Sequence, residues 1–365
     1  MSENTMYSVI TKVIEYSIVS ARAGYLYTAS GFKTRCQINV LLVSSFGSGK
    51  SVLFRTIEEA KLGVRCTDYT MPGIIGTIKA NGRVVKGFVI HARGSTLLID
   101  EFQKFGKKEK DALLSLMEDH FYRRPLGYNV DPPVEESDEF YILRARENYY
   151  EVYSKLSFVI GSMYFRRKTV DDYALLSRCF PVVLTMTEND AFDLYLGKTR
   201  FKLSDKLERK REIVAHRDIF VSDRIQKLMT ELYKESMKGF TLESGFIARG
   251  LWDLTRISAV ESALKGYEEV IEEEVYNAIK FAPIQILGYS RGQLTVKQMD
   301  VYSVICSNTE GINPSKIIEE TGLPEATVMQ TLKELVNMNL VEVVRVGKNT
   351  VYYPKALGIP EEVGE

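Results

Sequence analysis

The sequence predicts an α/β fold built on a mainly parallel sheet, with a small winged-helix module behind it. Three observations carry that prediction. Short apolar runs ("QINVLLV", "STLLIDE", "KLSFVIGSM" and "FPVVLTM") alternate with segments of helical spacing. The Gly-rich stretch "SSFGSGKS", residues 44–51, stands between the first of these strands and a helix. After a stretch at 283–293 that carries Pro and Gly, a helix, a short helix, the turn "TGLP", a longer helix and a strand pair follow in turn.

Residues 5 to about 29 read as one helix, because Met6, Val9, Ile10, Val13 and Ile18 fall on a single stripe. The buried strand, the Gly-rich loop and a second helix come next. The apolar strand "TLLI" then ends in two acids, Asp100 and Glu101. "KEKDALLSLMED" again has helical spacing, and two further strands close the core. From about 185 to 282 the pattern is helical, and 284–293 reads as a linker on its Pro and Gly. In the terminal module "VGKN" is a compact hairpin tip between two strands, which makes it a winged helix.

The chain has 365 residues, 45% of them hydrophobic and 26% charged, enough for a sizeable core and two domains. Basic and acidic residues balance at 48 each, so any surface that attracts nucleic acid has to be local. Cys36, Cys66, Cys179 and Cys306 are scattered with no close pair, which argues against a disulfide framework or a structural zinc. The start has no signal-peptide layout, and no run approaches the roughly 18 apolar residues of a membrane span. A soluble, cytoplasmic protein is expected, with no membrane partner.

A strand, loop and helix in this order bring successive backbone N–H groups to a helix N-terminus, where a phosphate is favoured. Gly47 and Gly49 let the backbone curl around phosphates with Ser48 between them, and Ser44 stands where the pattern has its first Gly. Lys50 is placed for the β- and γ-phosphates, and the Ser51 hydroxyl for Mg²⁺. About fifty residues on, Asp100 is placed to organise the metal's water shell and Glu101 to polarise an attacking water. The expected cofactors are ATP and Mg²⁺.

With "SSFGSGKS", "LLIDEFQK" and "LLSRCF" together, residues 38 to 282 resemble an AAA+ ATPase. Within that superfamily they are most similar to the motor domain of the minichromosome maintenance (MCM) helicases. The resemblance implies an AAA+ P-loop NTPase core at 35–185 with two inserted hairpins, and a helical lid at 186–283. An N-terminal helix (1–34) precedes them, and a linker (284–293) and the winged helix (294–365) follow. It implies that Ser162 replaces the sensor-1 Asn, that Arg178 acts in trans on the neighbouring subunit's nucleotide, and that Arg249 is the sensor-2 residue at the nucleotide. Arg256 is read as a packing or ion-paired residue.

The family's N-terminal collar has no counterpart in the roughly 35 residues before the core strand, so any ring, expected to be a homohexamer, rests on the ATPase domains. The second hairpin, at 121–156, is expected to carry its tip at "DPPVEESDE", where Glu135, Glu136, Asp138 and Glu139 would repel a phosphate backbone. The candidates for DNA contact are Lys86 on the first hairpin, Arg144 and Arg146 on the flanks of the second, and Lys333, Arg345 and Lys348 in the winged helix. The recognition helix is placed at 325–337, exposing Thr327, Gln330, Thr331 and Lys333. The expected function is a ring-forming ATPase that couples MgATP hydrolysis to DNA binding, translocation or unwinding. The alternatives are an ATP-switched initiator of the origin-recognition type and a protein remodeller like the MoxR proteins, which would take a protein partner.

Overall fold

The computed structural model describes residues 3–44, 49–79, 81–163, 170–184, 201–240, 242–292, 294–308, 311–346 and 349–355. The chain opens with α1 (Glu3–Ser20), whose Val9, Ile10, Val13, Ile14 and Ile18 are all buried. The expected helix to about residue 29 is therefore too long. "YLYT" alternates instead of following a helical period, and it forms β1 (Tyr25–Thr28) with Leu26 and Thr28 inward. β1 turns into β2 (Lys33–Arg35).

The core follows as β3 (Val40–Ser44), α2 (Lys50–Glu59), β4 (Gly63–Arg65), α3 (Met71–Ile74), β5 (Gly76–Ile78), β6 (Val84–Lys86), α4 (Phe88–His91) and β7 (Thr96–Ile99). After it come α5 (Lys107–Asp119), β8 (Phe121–Ser137), β9 (Tyr141–Ser154), β10 (Ser157–Met163), α6 (Val170–Leu176) and β11 (Phe180–Leu184). Five strands make one sheet in the order β11-β3-β10-β7-β4, every neighbour parallel. Their residues are buried almost throughout, as expected for a parallel sheet covered on both faces. All strands point one way, so the sheet has two chemically different ends.

Residues 185–200, the start of the expected lid, lie outside the described residues. The helical region resumes with α7 (Leu207–Val214), α8 (Asp223–Ser236), α9 (Ser244–Leu264), α10 (Glu272–Ile279) and α11 (Ala282–Gly292). It is not wholly helical: β12 (Ile219–Val221) pairs in parallel with β1, tying this region to the N-terminal segment.

The expected linker is a correction as well. Residues 282–292 are α11, with Ala282, Ile284, Ile286 and Tyr289 buried against β11. Pro283 sits in the first turn, where a missing N–H costs nothing. Gly288 is the point of contact, since a side chain there would meet the Pro181 carbonyl at 2.4 Å. Both supposed helix breakers serve the helix.

The terminal module comprises α12 (Val296–Ser307), α13 (Pro314–Thr321), α14 (Glu325–Asn337), β13 (Val341–Val346) and β14 (Asn349–Pro354), with Ile312 bridging to Tyr352. It has its own hydrophobic core; Phe240 packs against both that core and the main one, and Leu287 of α11 packs against the module's core. Arg291 of α11 donates to the Tyr302 hydroxyl at 2.8 Å and so ties the module to the end of that helix.

The second hairpin is folded back on itself. Phe121–Pro125 pair with Tyr149–Tyr153, the register slips twice between Pro125 and Val134, and Glu135–Ser137 then pair with Ile142–Arg144. The tip returns to the base, where the Lys155 N–H donates to the Phe140 carbonyl at 2.8 Å. Leu126, Val130, Tyr141, Leu143 and Ala145 are buried by this doubling, and the first hairpin, β5–β6, lies along it. The Tyr150 hydroxyl reaches the Ile75 carbonyl at 3.1 Å, and Arg124 reaches the Gly76 carbonyl at 3.2 Å.

The turn is thus at 138–140; of the acids expected at a projecting tip, Glu135 and Glu136 lie on the returning limb and Asp138 and Glu139 in the turn itself. Each has a cation or an imidazole beside it. Glu135 meets Arg144 at 3.1 Å, Glu136 meets Lys86 at 2.7 Å, Asp138 pairs with Arg93, and Glu139 lies 2.6 Å from His216. His216 also stacks on Phe140.

Candidate nucleotide-binding site

At the C-terminal ends of the strands stand, across the sheet, Ser44 on β3, Ser162 on β10, Asp100 and Glu101 after β7, and Arg65 on β4. Ligands of open parallel sheets bind at this end. Residues 45–48, including the expected phosphate contacts Gly47 and Ser48, lie outside the described residues.

Gly49 caps α2 with φ 79°, a left-handed conformation that glycine adopts without strain. Lys50 and Ser51 open the helix. The Lys50 ammonium donates to the Ser44 hydroxyl, which is fully buried, so Ser44 serves as an anchor for the lysine. Burial lowers the Lys50 pKa, opposed by the charges of Asp100 and Glu101. Its stem runs beside Gly161, where a Cβ would lie 3.3 Å from Lys50 Cδ.

The Ser51 hydroxyl donates to Asp100 Oδ2 at 3.3 Å. A hydroxyl and a carboxylate converging at a helix N-terminus suit a magnesium–nucleotide complex. Two cations that sequence reasoning missed complete this end. Arg65 forms an ion pair with Asp100, and Lys104 forms one with Glu101 while lying 5.7 Å from the Tyr69 ring centroid. Lys104 was legible in principle, since it stands three residues after Glu101. Ser162 pairs in register with Val43 and is buried between the β3 and β7 ends.

Arg178 lies at the opposite end. It precedes β11, whose first residue, Phe180, pairs with Val40, whereas Leu184 pairs with Ser44. The two ends are about 13 Å apart by strand rise. The Arg178 guanidinium donates to the Ala174 carbonyl at 2.9 Å and pairs with Glu118.

Arg249, expected at the nucleotide, stands beside Arg178 and donates to its carbonyl at 2.6 Å. Asp253 holds both Arg249, at 3.0 Å, and Arg256, at 2.8 Å. Burial and the neighbouring Arg249 bring Arg256 down to about 10, whereas at Arg249 the lowering by burial is outweighed by Asp253, Tyr289 and Cys179 together. The i, i+4 spacing of Arg249 and Asp253 on α9 carries the signal that the arginine was spoken for.

The DNA-contact candidates divide. Lys86 and Arg144 form ion pairs with Glu136 and Glu135. Arg146 is exposed and has no ion pair among the described residues, and the same holds for Lys79 and Arg83 at the first hairpin's tip. In the winged helix Lys333 and Arg345 are exposed, and Lys348 lies outside the described residues. Thr331, expected on the surface, is buried, because it shares one helical stripe with Val328, Leu332 and Leu335.

Comparison with known proteins agrees with this geometry. Residues 6–121, which hold most of α1, the Ser44–Ser51 stretch and the Asp100–Glu101 pair, match the MCM P-loop domain. Residues 292–357 match TrmB, the sugar-specific transcriptional regulator family. No curated protein matches the chain. Among the described residues no helix is long and apolar enough to cross a membrane. Residues 6–121 thus carry a P-loop domain of the MCM type, set on a five-stranded parallel sheet, as an ATPase of that type requires.

Proposed function

We propose that the chain works as an oligomeric ring, with MgATP hydrolysed between neighbouring subunits and the energy spent on DNA. The observation that carries this reading is the separation of Arg178 from Lys50, at opposite ends of one sheet. An arginine that stabilises charge on a transferring phosphoryl group from that position has to serve the next subunit's nucleotide.

In this reading Lys50 binds the phosphates, Ser51 and Asp100 hold the metal, and Glu101 orients and deprotonates the attacking water. Bound Mg²⁺ would neutralise phosphate charge and hold the β- and γ-oxygens in place. Arg249, joined to the Arg178 carbonyl, belongs to the same trans-acting face.

Contact with DNA is assigned to Lys79, Arg83 and Arg146, the exposed and unpaired cations of the two hairpins among the described residues, and to Lys333 and Arg345 of the winged helix. The likeness of the terminal module to a transcriptional regulator family favours a DNA duplex as its partner. A second reading, a remodeller of proteins, is favoured by one observation: the hairpin cations Lys86 and Arg144 are already neutralised by acids of this chain.

The test is the ATPase rate per subunit against protein concentration, with and without single- and double-stranded DNA. A rate that rises with concentration and rises again with DNA is expected. A rate that ignores DNA moves the reading to protein remodelling, and nucleotide binding without hydrolysis moves it to a switch.

A further inference from the structure

Asp100 Oδ2 accepts from two side chains, the Ser51 hydroxyl and the Arg65 guanidinium. Arg65 ends β4, the edge strand beside β7, and its register partner is Leu98, two residues before Asp100. Both side chains are mostly shielded, with 27% of the arginine and 17% of the aspartate exposed. The oxygen that a divalent cation's water shell would use is therefore already engaged by a cation of this chain. Glu101 is engaged too, by Lys104. Lys50, Arg65 and Lys104 outnumber Asp100 and Glu101, so the site favours an anion before any metal arrives.

We propose that Arg65 is a resident counter-ion at the metal position. It holds the Asp100 carboxylate in the metal-free state and yields it when magnesium comes in with the nucleotide. Arg65 is thus a positioning residue that acts through Asp100. Two consequences follow from the competition of two cations for one carboxylate oxygen. ATP binds without metal with only a modest loss of affinity, because the site's positive charge does not depend on magnesium. Magnesium in turn binds the ATP complex more weakly than it would with Asp100 free, since it has to displace a charge-assisted hydrogen bond.

The inference rests on the nucleotide reading above, and the experiment separates the two. Binding of a fluorescent ATP analogue to the full chain is titrated in EDTA and then with rising magnesium chloride, for the wild type and for Arg65→Ala, Arg65→Gln, Arg65→Lys and Lys50→Ala. Arg65→Ala and Arg65→Gln are expected to weaken metal-free binding about tenfold and to lower the magnesium midpoint about tenfold, with Arg65→Lys close to wild type. Circular dichroism checks each fold, and Arg65→Gln carries the test if the alanine variant fails to fold. Unchanged metal-free binding and an unchanged midpoint in a folded Arg65→Gln protein overturn the inference while the nucleotide reading stands. A wild type that binds no more analogue than Lys50→Ala overturns both.

Discussion

The two ends of the central sheet use charge in opposite ways. At the C-terminal end, Lys50, Arg65 and Lys104 face Asp100 and Glu101 in partly open pairs on short, rigid strand ends. At the N-terminal end, Arg249 and Arg256 share the single buried carboxylate of Asp253, and Arg178 alone reaches outward to a half-exposed Glu118. Pairs of the first kind can exchange partners, as a site that takes up and releases an anion would require. Those of the second kind are a fixed frame, because a buried charge without its partner is heavily penalised. The contrast separates a chemical end from a structural one, and in the reading proposed above Arg178 is the exception that would link them across subunits.

The strongest way to break this division is Arg178→Ala. Turnover is expected to fall about a thousandfold while nucleotide binding persists, and Lys50→Ala should lose both. Mixing the two inactive proteins should restore measurable phosphate release at mixed interfaces, and a mixture that stays inactive would place the arginine's role within its own subunit.

Next in size, Asp253→Ala strands two buried guanidinium groups and should cost about 3–5 kcal/mol in urea unfolding. Ser51→Ala at the other end should stay within about 0.5 kcal/mol. Equal losses would erase the distinction between frame and site.

A sharper division runs through the hairpins. Replacing Lys79, Arg83 and Arg146 by Ala should reduce the log–log salt slope of DNA binding by about 2–3, and Lys86→Ala or Arg144→Ala should leave it unchanged. A similar drop from the latter pair would mean that the returning limb opens on DNA.

The smallest expected effect concerns His120, buried at the C-terminus of α5. Burial, with Arg35 and Lys155 nearby, holds its pKa well below the ordinary value, so the folded chain keeps it neutral. The unfolded imidazole takes up a proton near pH 6.5, so stability is full above that pH and declines below it by about 1.4 kcal/mol per unit. His120 has φ 57°, a conformation that Asn tolerates, and His120→Asn should flatten the fall in Tm between pH 7 and 5.

The parallel core and the chemical end were legible because their signals are local. A run of apolar residues, a Gly-rich loop and two acids each lie within a few positions, and the recognition helix was read at the residues where α14 lies. What escaped depends on partners far apart in the chain. β1 pairs with β12 nearly two hundred residues on, and Arg249 meets the carbonyl of Arg178 across 71 positions. α11 was misread because its Pro and Gly act through position and contact, which composition does not reveal. Arg65 was invisible for the same reason, since only strand order sets it beside Asp100.

The doubled ribbon has a mechanical meaning. A straight hairpin arm of 14 residues would reach about 45 Å, and folding it back roughly halves that reach. Thickness doubles in exchange, with apolar side chains glued between the layers and a second hairpin laid along them. A long thin arm bends when loaded at its end, whereas a short, laminated one passes on a push. If subunits drive something through a ring, this chain has traded length of stroke for stiffness.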